Sequence, residues 1–418
     1  FLSSLYIGRA APCKTRFTKE VLSMNTCSGS NSIEPDTEYF LIADMGTTNL
    51  VVSSGIETVR IKNPQTRYGS DIVSRIYYSL KNGPEALQSA LLKGLLDGFR
   101  LLYEKSRNST AQAGSSKQPF IFPVQNIVLT GNTVMMHFLT GLQTSGMAAF
   151  PFTPVSFFDY ECIVSQIFPA LDFSLWSSIF SPETRVYLPP CIDSFTGADL
   201  VCASAGCGLY GSYSASAEEN TGLNDIKDSS RLLIDIGTNT EILLVHKGNY
   251  FACSTAAGPA FEGGSIKSSL RGSELLHSLG LMLDQGQMDT TGMLLQDKTL
   301  LCQSDVRQLQ LAKAAICAAV ETLLHEASVS SSAIYEVFLC GAFGTNIVSS
   351  DIVKTGLLNT DLAQKITVKE SAVIEGSLIL AKSKEIRRLT ACQAKATKVI
   401  QLADNSFFAK EYIECMNF

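Results

Sequence analysis

Two apolar runs, nearly copies of one another, set the pattern of this chain. The first, Phe40-Leu-Ile-Ala-Asp44-Met-Gly46-Thr47-Thr48-Asn49, passes into a second apolar run, Leu50–Val52. The other, Leu232-Leu-Ile-Asp235-Ile-Gly237-Thr238-Asn239-Thr240-Glu241, passes into Ile242–Val245. Each predicts a strand covered on both faces, a tight glycine turn and a returning strand. The hairpins stand about one domain's length apart, so each is expected to open its own lobe. The division predicted is a tail or linker stub over 1–37, lobe I over 38–225 and lobe II over 226–418.

Between the hairpins the pattern alternates. Helical periodicity covers 85–103, and the polar stretch Glu104–Pro119 predicts a surface loop. A strand, Asn126–Thr130, runs through Gly131-Asn132-Thr133 into an apolar helix, where His137 reads as a core histidine. A strand ends at Val186–Pro190, and Ser194–Leu209 predicts a loop and a small-residue helix with Gly197 and Asp199 near its start. Residues 212–230, rich in Ser, Glu, Asn and Asp, predict an interdomain linker or a surface excursion. On spacing, Asp71 and Arg75 read first as the cap and the i,i+4 partner of one helix, and alternatively as part of a loop facing the cleft or a partner.

In the second half, Gly258-Pro-Ala-Phe261-Glu262-Gly263-Gly264 precedes a helix-like Ser265–Leu270. Ser304–Leu324 predicts an amphipathic helix with Ser304 as its cap. The apolar Glu336–Cys340 predicts a strand ending in Gly341-Ala342-Phe343-Gly344. A strand over Lys398–Leu402 and a helix over Asn405–Met416 complete an α/β chain.

Composition narrows the partners. With 418 residues, 45% hydrophobic and 17% charged, the chain can bury two or three cores. Its net charge of −6 argues against nucleic acid or an anionic membrane as the main partner. No apolar run approaches the ~18 residues of a membrane span, and a cytoplasmic protein is expected. Twelve cysteines invite a metal site, yet no Cys-x-x-Cys occurs. They read as small buried apolar residues, with disulfides not expected in a reducing compartment.

The candidate chemistry lies in the turns. Gly46 and Gly237 let the backbone bend and leave N–H groups free to face an anion. Asp235, at its strand end, is placed to hold a hydrated Mg²⁺, and two such turns suggest a nucleotide clamped between lobes. Gly258, Glu262, Gly263 and Gly264 form either an ordinary strand-to-helix turn or, with the phosphate hairpin just before it, a loop that approaches a nucleotide. Bare glycines after the later strand, Gly341 and Gly344 around Ala342, suit a flat base or ribose.

Together these stretches resemble the phosphate-1, phosphate-2 and adenosine motifs of the acetate/sugar kinase, heat-shock chaperone and actin superfamily. Adding Asn63-Pro-Gln…Tyr68-Gly…Asp71…Ser74-Arg75-Ile76, Gly131-Asn132-Thr133 and Asp305–Ile316, the chain resembles the reductive activators of corrinoid iron–sulfur proteins and related activators of corrinoid methyltransferase systems. The resemblance spans roughly residues 38–418. It implies two actin-like (ribonuclease H-like) lobes around ATP and Mg²⁺. Asp44, Gly46, Thr47, Thr48 and Asn49 would form the first phosphate loop, and Asp235, Gly237, Thr238 and Asn239 the second. Asp44 and Asp235 would lie by the metal, Glu241 near the reaction, and Gly341 and Gly344 beside the adenosine.

The activity implied is ATP-dependent return of Co(II) to Co(I) in a cobalamin-carrying corrinoid protein. The family also implies an iron–sulfur cluster. Residues 1–37 are too short for a ferredoxin domain and no cluster motif appears, so the electron donor is expected on a separate protein or in a portion absent from a truncated chain that starts at Phe1 rather than Met. A homodimer stays open. Two rival readings are a small-molecule kinase of the same superfamily, with Glu241 or Glu262 as its base, and a partner-binding module that holds nucleotide without turnover.

Overall fold

The computed structural model describes residues 40–113, 124–168, 176–177, 179–210, 229–263, 266–297, 299–341 and 347–418. The tail expected over 1–37, and all but the last two residues of the linker expected over 212–230, lie outside these residues.

Six strands form the first sheet: β1 (Phe40–Met45), β2 (Asn49–Ser53), β3 (Thr58–Lys62), β4 (Val124–Gly131), β5 (Tyr160–Ile163) and β6 (Phe180–Leu188). Their spatial order is β3-β2-β1-β4-β6-β5. The second sheet holds β7 (Ser230–Ile236), β8 (Thr240–His246), β9 (Asn249–Thr255), β10 (Ile334–Gly341), β11 (Ile366–Val368) and β12 (Lys398–Val399), ordered β11-β10-β7-β8-β9-β12. The pattern is duplicated. In each sheet a three-strand antiparallel meander is followed by parallel strands added on the far side of its first strand. Leu41–Ala43 and Leu232–Ile234 are fully buried, as strands covered on both faces require.

The helices of the first half are α1 (Ile72–Asn82), α2 (Glu85–Ala113), α3 (Thr133–Thr140), α4 (Val164–Ile167) and α5 (Ala198–Gly206). Those of the second are α6 (Ser273–Asp284), α7 (Gln303–Ala327), α8 (Ser349–Lys354), α9 (Thr360–Ala363), α10 (Ala372–Lys382), α11 (Lys384–Ala396) and α12 (Ser406–Glu414). One face of the first sheet packs on α2, α3 and α4, and one face of the second on α6, α7, α8 and α9. The two remaining faces are covered crosswise. Leu200, Ala203 and Cys207 of the α5 segment pack on Leu233, Leu243 and Phe338 of the second sheet. Leu380 and Ala381 of α10 pack on Ile42, Val128 and Tyr187 of the first. A helix from each half of the chain therefore lies on the other half's sheet, and the two helices cross.

Several boundaries differ from expectation. The polar stretch from Glu104 continues α2 to Ala113, because Glu104–Ala113 contains no Gly or Pro to end a helix whose outer face is already solvated. Of the helix-like stretch expected over Ser265–Leu270, Ser265 lies outside the described residues and the rest forms no helix. Ile266–Leu270 is irregular and held by Asp305, which accepts the Lys267 amide at 2.9 Å, and α6 begins at Ser273. Cys302, not Ser304, precedes α7, with no side-chain cap. β12 ends at Val399, three residues before the predicted Leu402. Among the described residues no helix is long and apolar enough to cross a membrane.

Candidate functional site

Each hairpin places its carboxylate by strand register. Asp44 pairs with Thr130 on β4 and with Val51 on β2. Asp235 holds the matching place in the second sheet, opposite Cys340 and Glu241. The first turn is one residue longer: Gly46–Asn49 link the last β1–β2 pair, and Gly237–Asn239 link the last β7–β8 pair. The two turns meet, with the Thr48 and Thr238 hydroxyls 3.1 Å apart.

Between them lies a cleft of about 490 Å³. One wall carries Asp44, Gly46, Thr47, Thr48 and Asn49, and the other Asp235, Gly237, Thr238, Asn239 and Glu241. Glu262 and Gly341 also line it, and Glu262 Oε1 accepts the Thr238 hydroxyl at 3.2 Å. Gly258 and Gly263 stand behind the wall. The Gly258 amide donates to Thr238 O at 2.9 Å, bracing the turn, and Gly263 lies beneath the Arg271 side chain. Gly264, Ala342 and Gly344 fall outside the described residues. At Gly341 (φ +86°) an added Cβ would meet Ile236 O at 2.2 Å, so close approach to β7 already demands a glycine there.

Three side chains in the cleft were not assigned to the site from the sequence. Asp199 stands in the first turn of α5, where it accepts the Leu200 amide at 2.9 Å. An acid at the head of a small-residue helix was legible, but its aim was not. Arg60 follows from the row Asp44–Val51–Arg60 across three paired strands, which puts the guanidinium on the carboxylate's face. Arg271 enters from the segment before α6.

Arg75 is a further departure. Asp71 caps α1 through the Ser74 amide at 2.8 Å, as expected, but Arg75 turns inward instead of pairing with it. Fully buried, it donates to Thr47 O at 2.6 Å, Gly69 O at 3.0 Å and Gln65 Oε1 at 3.2 Å. Asn63 donates to Gly46 O at 2.8 Å from the same stretch. The Asn63–Arg75 motif is thus the mount of the first turn. His137 is a core histidine: its Nε2 accepts the Val155 and Ser156 amides, and burial pushes it down to about 4.

The cleft is electrostatically unbalanced. Burial, then Asp199 and Glu262, push Asp235 up to about 7. Burial raises Asp199 to about 6. Burial, Asp199 and Asp235 push Asp44 and Glu241 well above the usual carboxylate range, with Arg60 opposing at Asp44. Four carboxyls that repel one another hold their protons to higher pH than free carboxyls do. Among the described residues no three acidic, His or Cys groups stand close enough to hold a metal directly. The donors fit a hydrated Mg²⁺, which takes one or two carboxylates and fills its other positions with water and phosphate oxygens.

A duplicated sheet with paired hairpin turns closing on one cleft defines the class: a two-lobed, actin-like protein. The sequence profile of the RACo middle region matches residues 39–212, and that of the C-terminal domain of RACo, the ASKHA domain, matches 229–275 and 283–418. The chain belongs to the RACo family. The corrinoid activation enzyme RamQ of Eubacterium limosum is 23% identical, over 90% of this chain and 69% of RamQ. A solved reductive activator for corrinoid, iron–sulfur protein superposes with a TM-score of 0.73 at 22% identity, over 92% of this chain and 67% of that one.

Proposed function

We propose that this chain is the ATP-driven part of a reductive activator that returns the cobalt of a corrinoid protein from Co(II) to Co(I). The observation that carries the reading is the apposition of the two turns across one carboxylate-lined cleft, within a chain of the RACo family. Backbone N–H groups of Gly46–Thr48 and of Thr238 and Asn239 hold the nucleotide phosphates, the Gly237 N–H being taken by Asn239 O within its turn, and Arg60 and Arg271 add positive charge. Asp44 and Asp235 would hold a hydrated Mg²⁺, which would supply charge neutralisation at the phosphates. Asp199, which lines the cleft from the first turn of α5, orients and deprotonates the attacking water. Gripping both turns draws the lobes together, and the difference in binding between nucleotide states supplies the energy for the uphill reduction. The electron comes from an iron–sulfur donor.

A small-molecule kinase is the second reading, favoured by the same Asp199, since a carboxylate base beside a nucleotide also suits transfer to a hydroxyl. Turnover of γ-labelled ATP, with and without a corrinoid protein, tests both. Phosphate release stimulated by the corrinoid partner supports the activator. Label appearing on a small acceptor supports the kinase, and binding without turnover in either setting refutes both in favour of a passive module.

A further inference from the structure

Inert, buried thiols are what the sequence predicts, and Cys191, Cys202, Cys207, Cys253 and Cys340 are buried. Cys317 and Cys415 differ. Both are partly exposed, and their Sγ atoms lie 2.7 Å apart, inside van der Waals contact though longer than a disulfide bond of about 2.05 Å. Cys317 lies within α7, and Cys415 caps the C-terminus of α12, which packs along it. Contacts fix this facing on both sides. The Phe407 ring stacks on His325 with centroids 4.0 Å apart, and Asn405 Nδ2 donates to Glu326 at 3.2 Å. Beyond the thiols, Gln310 donates to Met416 O at 2.7 Å and Lys313 donates to Asn417 O. No side chain of α12 is itself fully buried, though Phe408 packs against the second core.

We propose that Cys317 and Cys415 form a reversible disulfide, with a peroxide as oxidant, that staples α12 to α7. The Cys415 thiolate attacks the peroxide O–O bond, forms an S–O bond and expels hydroxide. The Cys317 sulfur displaces that oxygen as water. In sum two thiols give up two electrons and two protons, and hydrogen peroxide becomes two waters. A dithiol reductant reverses the link by exchange.

The surroundings favour this order of attack. The hydrogen bond shared with Cys317 holds Cys415 below the ordinary thiol range, burial opposes, and the Lys313 ammonium assists. Glu411 and Glu321 work against it, and Cys317 is pushed up by the same hydrogen bond. The two cysteines are 98 positions apart, so the link closes a long loop, the case in which a cross-link stabilises most.

The test is a titration of the full chain with hydrogen peroxide, followed by thiol blocking under denaturing conditions and non-reducing peptide mapping. The Cys317 and Cys415 peptides are expected joined before any other pair, and released by dithiothreitol. The oxidised protein is expected to melt several degrees above the reduced one, a shift absent in Cys415→Ser and in Cys317→Ala. Sulfinic acid at Cys415 without a joined peptide would overturn the proposal, as would linkage through the exposed Cys302 or Cys392 while this pair stays free. None of these readouts depends on the nucleotide reading.

Discussion

At the scale of single residues, the cleft carboxylates make two measurable demands. Asp235→Asn keeps the shape and removes the charge, so Mg²⁺-dependent nucleotide hydrolysis is expected to fall by at least about 100-fold with the fold intact. The pH dependence of stability follows from raised carboxyls. In the unfolded chain they ionise near about pH 4, whereas Asp199 and Asp235 are held up to about 6 and about 7 when folded. Between those values the folded state binds more protons, so stability is full at low pH and is lost as pH rises through about 6 to about 7. Denaturant melts of nucleotide-free protein should therefore show Asp235→Asn more stable than wild type by about 1–2 kcal/mol at about pH 8, discounted for water in the cleft, with the gap closing towards about pH 4. Equal gaps at both would remove the electrostatic account. Arg75 presents the opposite case. It is a buried cation serving three acceptors with a rigid fork, which a lysine cannot reproduce. Arg75→Lys is expected to cost about 2–4 kcal/mol in a denaturant melt and to weaken nucleotide binding about tenfold by calorimetry, since Thr47 loses its anchor.

At the scale of elements, the crossing of α5 and α10 decides how the halves sit together. An added Cβ at Gly376 would meet Cys202 O at 1.7 Å, and one at Gly206 would meet Ala372 O at 2.1 Å. In an exposed helix Gly→Ala stabilises by roughly 0.5–1 kcal/mol. Here backbone meets backbone and neither side can yield, so Gly376→Ala is expected to destabilise by about 2–3 kcal/mol, measured by thermal melting. A neutral or raised midpoint would mean the helices can part freely. This crossing also marks where sequence reading stops. The hairpins were legible because two copies of an apolar run, an acid and a glycine turn state their own register. The pairing of α5 with the second sheet and of α10 with the first was not, because neither the small residues of α5 nor the apolar run of α10 names a partner. For the same reason Asp199 could be put on a helix but not aimed into the cleft. Arg75 was misassigned because i,i+4 spacing describes a surface pair equally well, and only the fold shows the guanidinium turning beneath Thr47.

At the scale of the whole molecule, duplication makes one site from two incomplete ones. Neither turn encloses a ligand by itself; the cleft exists because Thr48 meets Thr238 and because links such as Gln401 to Asp193, at 3.0 Å, and Arg387 to Glu161 tie one half to the other. One nucleotide gripped from both sides should bind with a stoichiometry of one per chain. The energetics should also be non-additive. Asp44→Asn and Asp235→Asn are each expected to weaken Mg-nucleotide binding by about 2–3 kcal/mol, because loss of either grip leaves the cleft open. Once it is open, the second grip has little left to lose, so the double variant should cost at most about 1 kcal/mol beyond either single one. Two independent half-sites would instead give additive losses and a second bound nucleotide. Calorimetric titration of the wild type, both single variants and the double variant distinguishes these outcomes. Additivity would dismantle the shared-cleft reading even if each aspartate proved essential on its own.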